Sequence, residues 1–166
     1  MPRKRSGSLA ALLAILALLL GLQSAAVTAK SPKILEFDTM VGVQGAFLAG
    51  ATPIRGVNGA GAAWTLTSAK GELTTSGHLE VTVDGLVLTS SGNNPVASFG
   101  ATVSCFDVNG MAVNLRTATV PATTGLASNG GGDAKIEADL AIPDPCIAPI
   151  VYVTSPTGSW FASTGG

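Results

Sequence analysis

The sequence predicts an all-β protein, an antiparallel β-sandwich of about 8–10 short strands, with a closed β-barrel as the alternative architecture. Three observations carry this expectation. Glycine and proline, 21 and 9 of the 166 residues, punctuate the chain at short intervals. The intervals are rich in Val, Thr and Ile, which suit a pleated, half-buried surface better than a helix. Several of them alternate apolar with polar side chains, the period of a strand with one face in a core.

Residues 1–29 stand apart from this pattern. Arg3, Lys4 and Arg5 precede an uncharged run from Leu9 to Leu22, and small residues continue to Ala29. A charged start, an apolar middle and a small-residue exit predict a secretory signal helix, cleaved after Ala29 or, alternatively, after Ala26. The apolar run is shorter than the roughly 18 residues of a spanning helix, and no later run reaches that length, so no membrane span is expected in the mature chain. Residues 30–166 are then read as one domain with a single core. Three of the nine basic residues lie in the leader, which leaves six against ten acids, a net charge of −4 with His78 neutral. A mildly acidic chain with scattered cations lacks the basic stripe that nucleic acid requires.

The elements follow in order. Ile34–Val41 reads as a strand with Leu35, Phe37, Thr39 and Val41 on one face and Glu36 and Asp38 on the other. Gly42 and Gly45 interrupt it before the apolar stretch Ala46–Ala49. Asn58-Gly59 marks a turn within a glycine-rich segment. Ala62–Thr67 is the next strand, with Trp64 and Leu66 on one face. Glu72–Thr75 and His78–Val83 form a hairpin about Ser76-Gly77, with Leu79, Val81 and Val83 inward and His78, Glu80, Thr82 and Asp84 outward. Leu86–Leu88 follows Asp84-Gly85, and Thr89–Pro95 is a polar loop. Ala97–Phe106 and Met111–Val120 read as a second hairpin about Asn109-Gly110. Thr123–Gly132 is a small-residue loop. Ala134–Ile142 alternates again, with Ile136, Ala138, Leu140 and Ile142 inward. Pro143–Pro149 connects it to the final strands, Ile150–Thr154 and Trp160–Ser163. No helical pattern stands out after the leader.

Cys105 and Cys146 are the only cysteines. In an exported chain an isolated pair predicts one structural disulfide, Cys105–Cys146, since the two are not arranged as C-x-x-C. Closing a loop of about 42 residues restricts the unfolded chain by roughly 4 kcal/mol on the entropic argument.

Residues able to carry chemistry are sparse. His78 is the only histidine. A Ser-His-Asp arrangement would have to run through it, with Ser76 and Asp84 nearby, yet no G-x-S-x-G turn occurs and the alternation places His78 on a solvated face. Glu72, Glu80 and Asp84 lie on neighbouring strands, where two carboxylates can reach a glycosidase separation, although water-facing strands commonly carry such acids. Asp107-x-Asn109-Gly110 begins like a calcium loop but lacks the acids that follow in one, and reads as a hairpin turn. Gly130-Gly131-Gly132 before Asp133 has no Lys-Ser/Thr and no following helix, so it is not a phosphate cradle. Trp64 and Trp160 sit in strand patterns beside small residues and read as core. No catalytic residue, cofactor or metal ligand is assigned.

Several segments together resemble a group of uncharacterised secreted bacterial β-sandwich proteins with one disulfide. They are Arg55-Gly56-Val57, Trp64 with Lys70-Gly71-Glu72-Leu73, the run Gly77-x-Leu79-x-Val81-x-Val83-x-Gly85-Leu86, Val103-Ser104-Cys105, Pro143-x-Pro145-Cys146 and Trp160-Phe161-Ala162. The resemblance implies an extracellular or envelope protein and brings no functional residues. The hairpin is also similar in outline to the chordin-type domain, whose histidine-containing segment is missing here, so that likeness is one of β patterning. The expectation from the sequence is a secreted, non-enzymatic binding or envelope-associated module with an extracellular protein or glycan as partner. The alternatives are a secreted hydrolase using Glu72, Glu80 or Asp84, and a subunit of an extracellular assembly. Loops Thr89–Pro95 and Thr123–Gly132 are the first places to look for a ligand.

Overall fold

The computed structural model describes residues 30–165, and the leader predicted over residues 1–29 lies outside the described residues. The strands are β1 (Lys33–Phe37), β2 (Val41–Gly42), β3 (Trp64–Thr65), β4 (Ser68–Thr74), β5 (His78–Asp84), β6 (Val87–Leu88), β7 (Asn93–Asn94), β8 (Ser98–Phe106), β9 (Ala112–Arg116), β10 (Val120–Pro121), β11 (Gly125–Leu126), β12 (Ala134–Asp139), β13 (Ile147–Thr154) and β14 (Trp160–Ser163). Short 3₁₀ turns occupy Gly45–Gly50 and Ala127–Asn129. The strands outnumber the expectation because six of them, β2, β3, β6, β7, β10 and β11, are two-residue ladders; β3 lies within the strand expected over Ala62–Thr67 but is shorter than that stretch.

Two antiparallel sheets carry the fold, and no sheet closes into a barrel among the described residues. One is four-stranded in the order β1-β4-β5-β12. The other is six-stranded, β10-β8-β13-β14-β2, with β9 pairing β8 as well. Between them lies one hydrophobic core. Leu73, Leu79, Val81, Val83 and Ile136 enter it from the first sheet, and Phe99, Ala101, Val103, Val151 and Val153 from the second. Trp64, Phe99 and Phe161 close one end, with the Trp64 and Phe161 rings 4.0 Å apart. Both tryptophans are buried, as their strand contexts predict.

The six-stranded sheet is covered on both faces. Every residue of β8 from Phe99 to Cys105 is buried, which fits its run of small and apolar side chains. Its outer cover is the irregular segment between β2 and β3. Tyr152 donates its hydroxyl to the Ile54 carbonyl at 3.3 Å, and Trp160 packs against both Phe47 and Tyr152. Arg55 pins this segment down. Its guanidinium donates to the carbonyls of Ala148 (2.7 Å) and Ser104 (3.3 Å) and lies over the Phe106 ring.

Three local expectations are corrected. The turn in this segment is at Arg55-Gly56, both at positive φ, with reciprocal backbone bonds between Ile54 and Val57. Asn58-Gly59 runs along β14 instead: the Asn58 carbonyl accepts the Trp160 N–H, and the Ala60 N–H donates back to Trp160. Docking to a strand edge overrides the intrinsic turn preference. Second, Ile34–Val41 is not one strand. The chain leaves the four-stranded sheet after Phe37 and enters the other as β2, so the alternation resets: Met40 is buried while Val41 is 55% exposed. Third, the β4–β5 connection has three residues, Thr75 to Gly77, with the Gly77 N–H bonded to the Thr74 carbonyl.

The two loops singled out for ligand binding pair with each other. β7, within Thr89–Pro95, forms a ladder with β11, within Thr123–Gly132. Asn94 is fully buried at the joint, donating to the carbonyls of Val96 and Thr123 and accepting the Val96 N–H. The expected disulfide is present. Cys105 of β8 is joined to Cys146, just before β13, with Cα atoms 5.1 Å apart.

Candidate functional site

The outer face of the four-stranded sheet gathers the acids that sequence reasoning singled out. Leu73, Leu79, Val81 and Ile136 point inward, so their strand neighbours point out. The register places Glu36 opposite Glu72, Glu72 opposite Glu80, and Glu80 opposite Glu137. Four glutamates thus form one row across the sheet. Like charges directly opposite on neighbouring strands repel. Two lysines offset that repulsion. Lys33 Nζ reaches Glu36 at 2.6 Å and Glu72 at 2.7 Å, and Lys135 Nζ reaches Glu80 at 2.9 Å and Glu137 at 3.7 Å. The bonds from Glu36 and Glu72 push the Lys33 ammonium up to about 12. The Lys135 bond holds the Glu80 carboxyl below its ordinary value.

This face contains a depression of 660 Å³ lined by Phe37, Asp38, Lys70, Gly71, Glu72 and Glu80 among others. Gly71 is part of its lining. A Cβ there would lie 2.2 Å from the Glu80 carbonyl oxygen and 2.6 Å from the Phe37 ring, so only glycine lets the ring lie across the strand. Glu72 and Glu80 are brought together in the depression; Asp84 and His78 do not line it. Asp84 accepts a bond from Ser68 at one end of β5. His78 lies at the other end, its Nδ1 2.9 Å from an Asp139 carboxylate oxygen. Ser76 bonds Thr74, and no hydrogen bond joins it to His78 among the described residues. The sequence neighbours Ser76, His78 and Asp84 are therefore not assembled as a triad.

The other candidates are accounted for by local architecture. The Asp107 carboxylate accepts the N–H groups of Met111 and Asn109, at 2.9 and 2.8 Å, which close the β8–β9 hairpin and hold its carboxyl below the ordinary range. The N–H groups of Gly130, Gly131 and Gly132 donate to Ala127, Leu126 and Thr123, and the Asp133 carboxylate accepts the Gly85 N–H. Among the described residues no group of three or more His, Cys, Asp or Glu side chains is arranged to hold a metal ion. A second depression of 220 Å³ lies on the far side of the molecule, lined by Thr102, Asn114 and Arg116 among others. Sequence reasoning passed over these residues. Their one signal is that Thr102 and Ser104 put hydroxyls into a strand otherwise made of apolar and glycine residues between Phe99 and Cys105.

The disulfide is compatible with an extracellular location, and among the described residues no helix is long and apolar enough to cross a membrane. No protein-family model matches the chain, and neither does any characterised protein or solved structure compared with it.

Proposed function

We propose that the chain is a secreted, non-enzymatic β-sandwich that acts as an extracellular or envelope-associated binding module, with an extracellular protein or glycan as partner. The observation that carries this reading is the ion pairing of the two directly opposed glutamates in the large depression: Glu72 with Lys33, a lysine that Glu36 shares, and Glu80 with Lys135. Hydrolysis by two carboxylates needs one of them protonated. The Lys135 ammonium holds the Glu80 carboxyl below its ordinary value, against the role of proton donor, and the same ion pairs on a rigid sheet make a polar contact surface. The leader over residues 1–29 and the Cys105–Cys146 bridge both suit an oxidising compartment outside the cytoplasm.

The direct opposition of Glu72 and Glu80 favours the hydrolase as the second reading. One experiment separates the two. The protein is mixed with insoluble polysaccharides and, in parallel, with a panel of glycosides. Retention without product is the expected result. Product that disappears in both Glu72→Gln and Glu80→Gln overturns the non-enzymatic reading and establishes the hydrolase.

A further inference from the structure

On the outer face of β8 and β9 the register sets Thr102 beside Arg116 and Ser104 beside Asn114, a block of four polar side chains on two adjacent strands. Thr102 and Ser104 are 1% and 0% exposed, and neither hydroxyl has a hydrogen-bond partner among the described residues. Buried hydroxyls without partners are costly and uncommon in native folds. Valine at position 102 would fill similar space without that cost. The hydroxyl is therefore a feature to explain, and its position explains it: Thr102 lines the 220 Å³ depression whose wall includes Arg116 and Asn114.

Arg116 is seated there by its surroundings. Its Nη2 donates to the Pro156 carbonyl at 3.2 Å. The guanidinium lies against Gly158, at φ +99°, where a Cβ would come within 2.7 Å of Cζ. No carboxylate pairs with Arg116 among the described residues, although acids outnumber bases in the chain. No Asp or Glu lines this depression. The charge facing it is a cation with no carboxylate partner among the described residues and with planar N–H donors, the geometry that matches a carboxylate. Asn58, Thr157 and Ser159 also line the depression, amide and hydroxyl groups suited to sugar hydroxyls, against a single larger apolar side chain, Val57.

We propose that this depression binds the carboxylate of an acidic sugar, with Arg116 holding the carboxylate and Thr102 donating its hydroxyl at the floor. The assignment rests on the binding-module reading for the source of the ligand, but it concerns a different face from the glutamate row.

The test is a titration of the ¹⁵N-labelled protein, followed by NMR through its backbone amides and arginine side chains, with sodium glucuronate, glucose and N-acetylalanine at constant ionic strength. Saturable shifts with glucuronate at Thr102, Arg116 and Gly158, and none with glucose, are expected. Arg116→Gln should weaken the binding about ten-fold or more. Thr102→Val should weaken it about three-fold or more while leaving thermal stability equal or higher. An absence of saturable shifts overturns the site. So do shifts confined to Glu36, Glu72 and Glu80, although these would support the proposed function. Tighter binding of N-acetylalanine than of glucuronate overturns the sugar assignment in favour of a peptide carboxyl terminus. Unchanged affinity in Arg116→Gln at an unchanged melting temperature overturns the role of Arg116.

Discussion

Tyr152 is the only tyrosine of the chain, and it is fully buried on the covered face of β13. Burial raises its phenol to about 12, against a smaller opposing effect of the Arg55 charge. An unfolded chain loses this proton near pH 10. The folded state therefore holds a proton that the unfolded state has released, and the contribution is fully present below about pH 10 and lost as the pH rises toward 12. In a spectroscopic titration the tyrosinate band should appear with a midpoint near 12 in the native protein and near 10 in denaturant. A native midpoint near 10 would mean that the segment carrying Ile54 does not cover the ring. Asn94 shows why such single-residue roles are hard to read beforehand. Its amide ties Val96 and Thr123 together inside the fold. In sequence it is one more polar residue in a loop, because composition is the same whether an amide faces water or satisfies buried carbonyls.

Longer elements were legible and short ones were not. In β5 and β12 strict alternation identified the inward residues Leu79, Val81, Val83 and Ile136, all fully buried. A seven-residue strand spans several periods of two, and burial of one face enforces its register. The pairing of β7 with β11 involves two residues and leaves no period to detect, and the alternation about Trp64 marked β3 as a strand without showing that it pairs with β6. The acids of the candidate face were recognised as outward, but their alignment into one row depends on register between strands distant in sequence. Thr102 and Arg116 lie on the two strands of the expected second hairpin, but the depression they line also needs Asn58 and Gly158, which that hairpin does not contain. The disulfide was legible because only one pairing exists, and it makes a direct prediction for the elements it joins. Cys105 and Cys146 are 41 residues apart, and their bridge fixes the end of β8 to the start of β13. The Cys105→Ala/Cys146→Ala double variant should lose roughly 4 kcal/mol of stability in denaturant titration. A loss well under about 1 kcal/mol would show that β8 and β13 hold their register without the bridge.

Charge is distributed over the molecule very unevenly. The strands of the four-stranded sheet carry Lys33, Glu36, Lys70, Glu72, Glu80, Asp84, Lys135, Glu137 and Asp139, and those of the six-stranded sheet carry only Arg116. The cause is coverage. One sheet presents a face to water, whereas the other is packed on both sides and accepts charge only at its edge. The acid dependence of the fold draws on one carboxylate of the four-stranded sheet and one in the β8–β9 turn of the other. Glu80, bonded to Lys135, and Asp107, bonded to the N–H groups of Met111 and Asn109, both have depressed carboxyl values. A depressed value means that the unfolded chain takes up its proton first as the pH falls. The stabilisation is therefore fully present above the ordinary carboxylate range, near 4, and is lost as the pH drops through the folded-state values. The melting temperature should decline below about pH 4, and Glu80→Gln together with Asp107→Asn should reduce that decline by removing two of the linked protonations. Both groups lie at the surface, so added salt should shrink the Glu80 contribution, which depends on a lysine charge, more than the Asp107 contribution, which depends on backbone N–H groups. An acid profile unchanged in the double variant would show that neither Glu80 nor Asp107 carries the acid sensitivity.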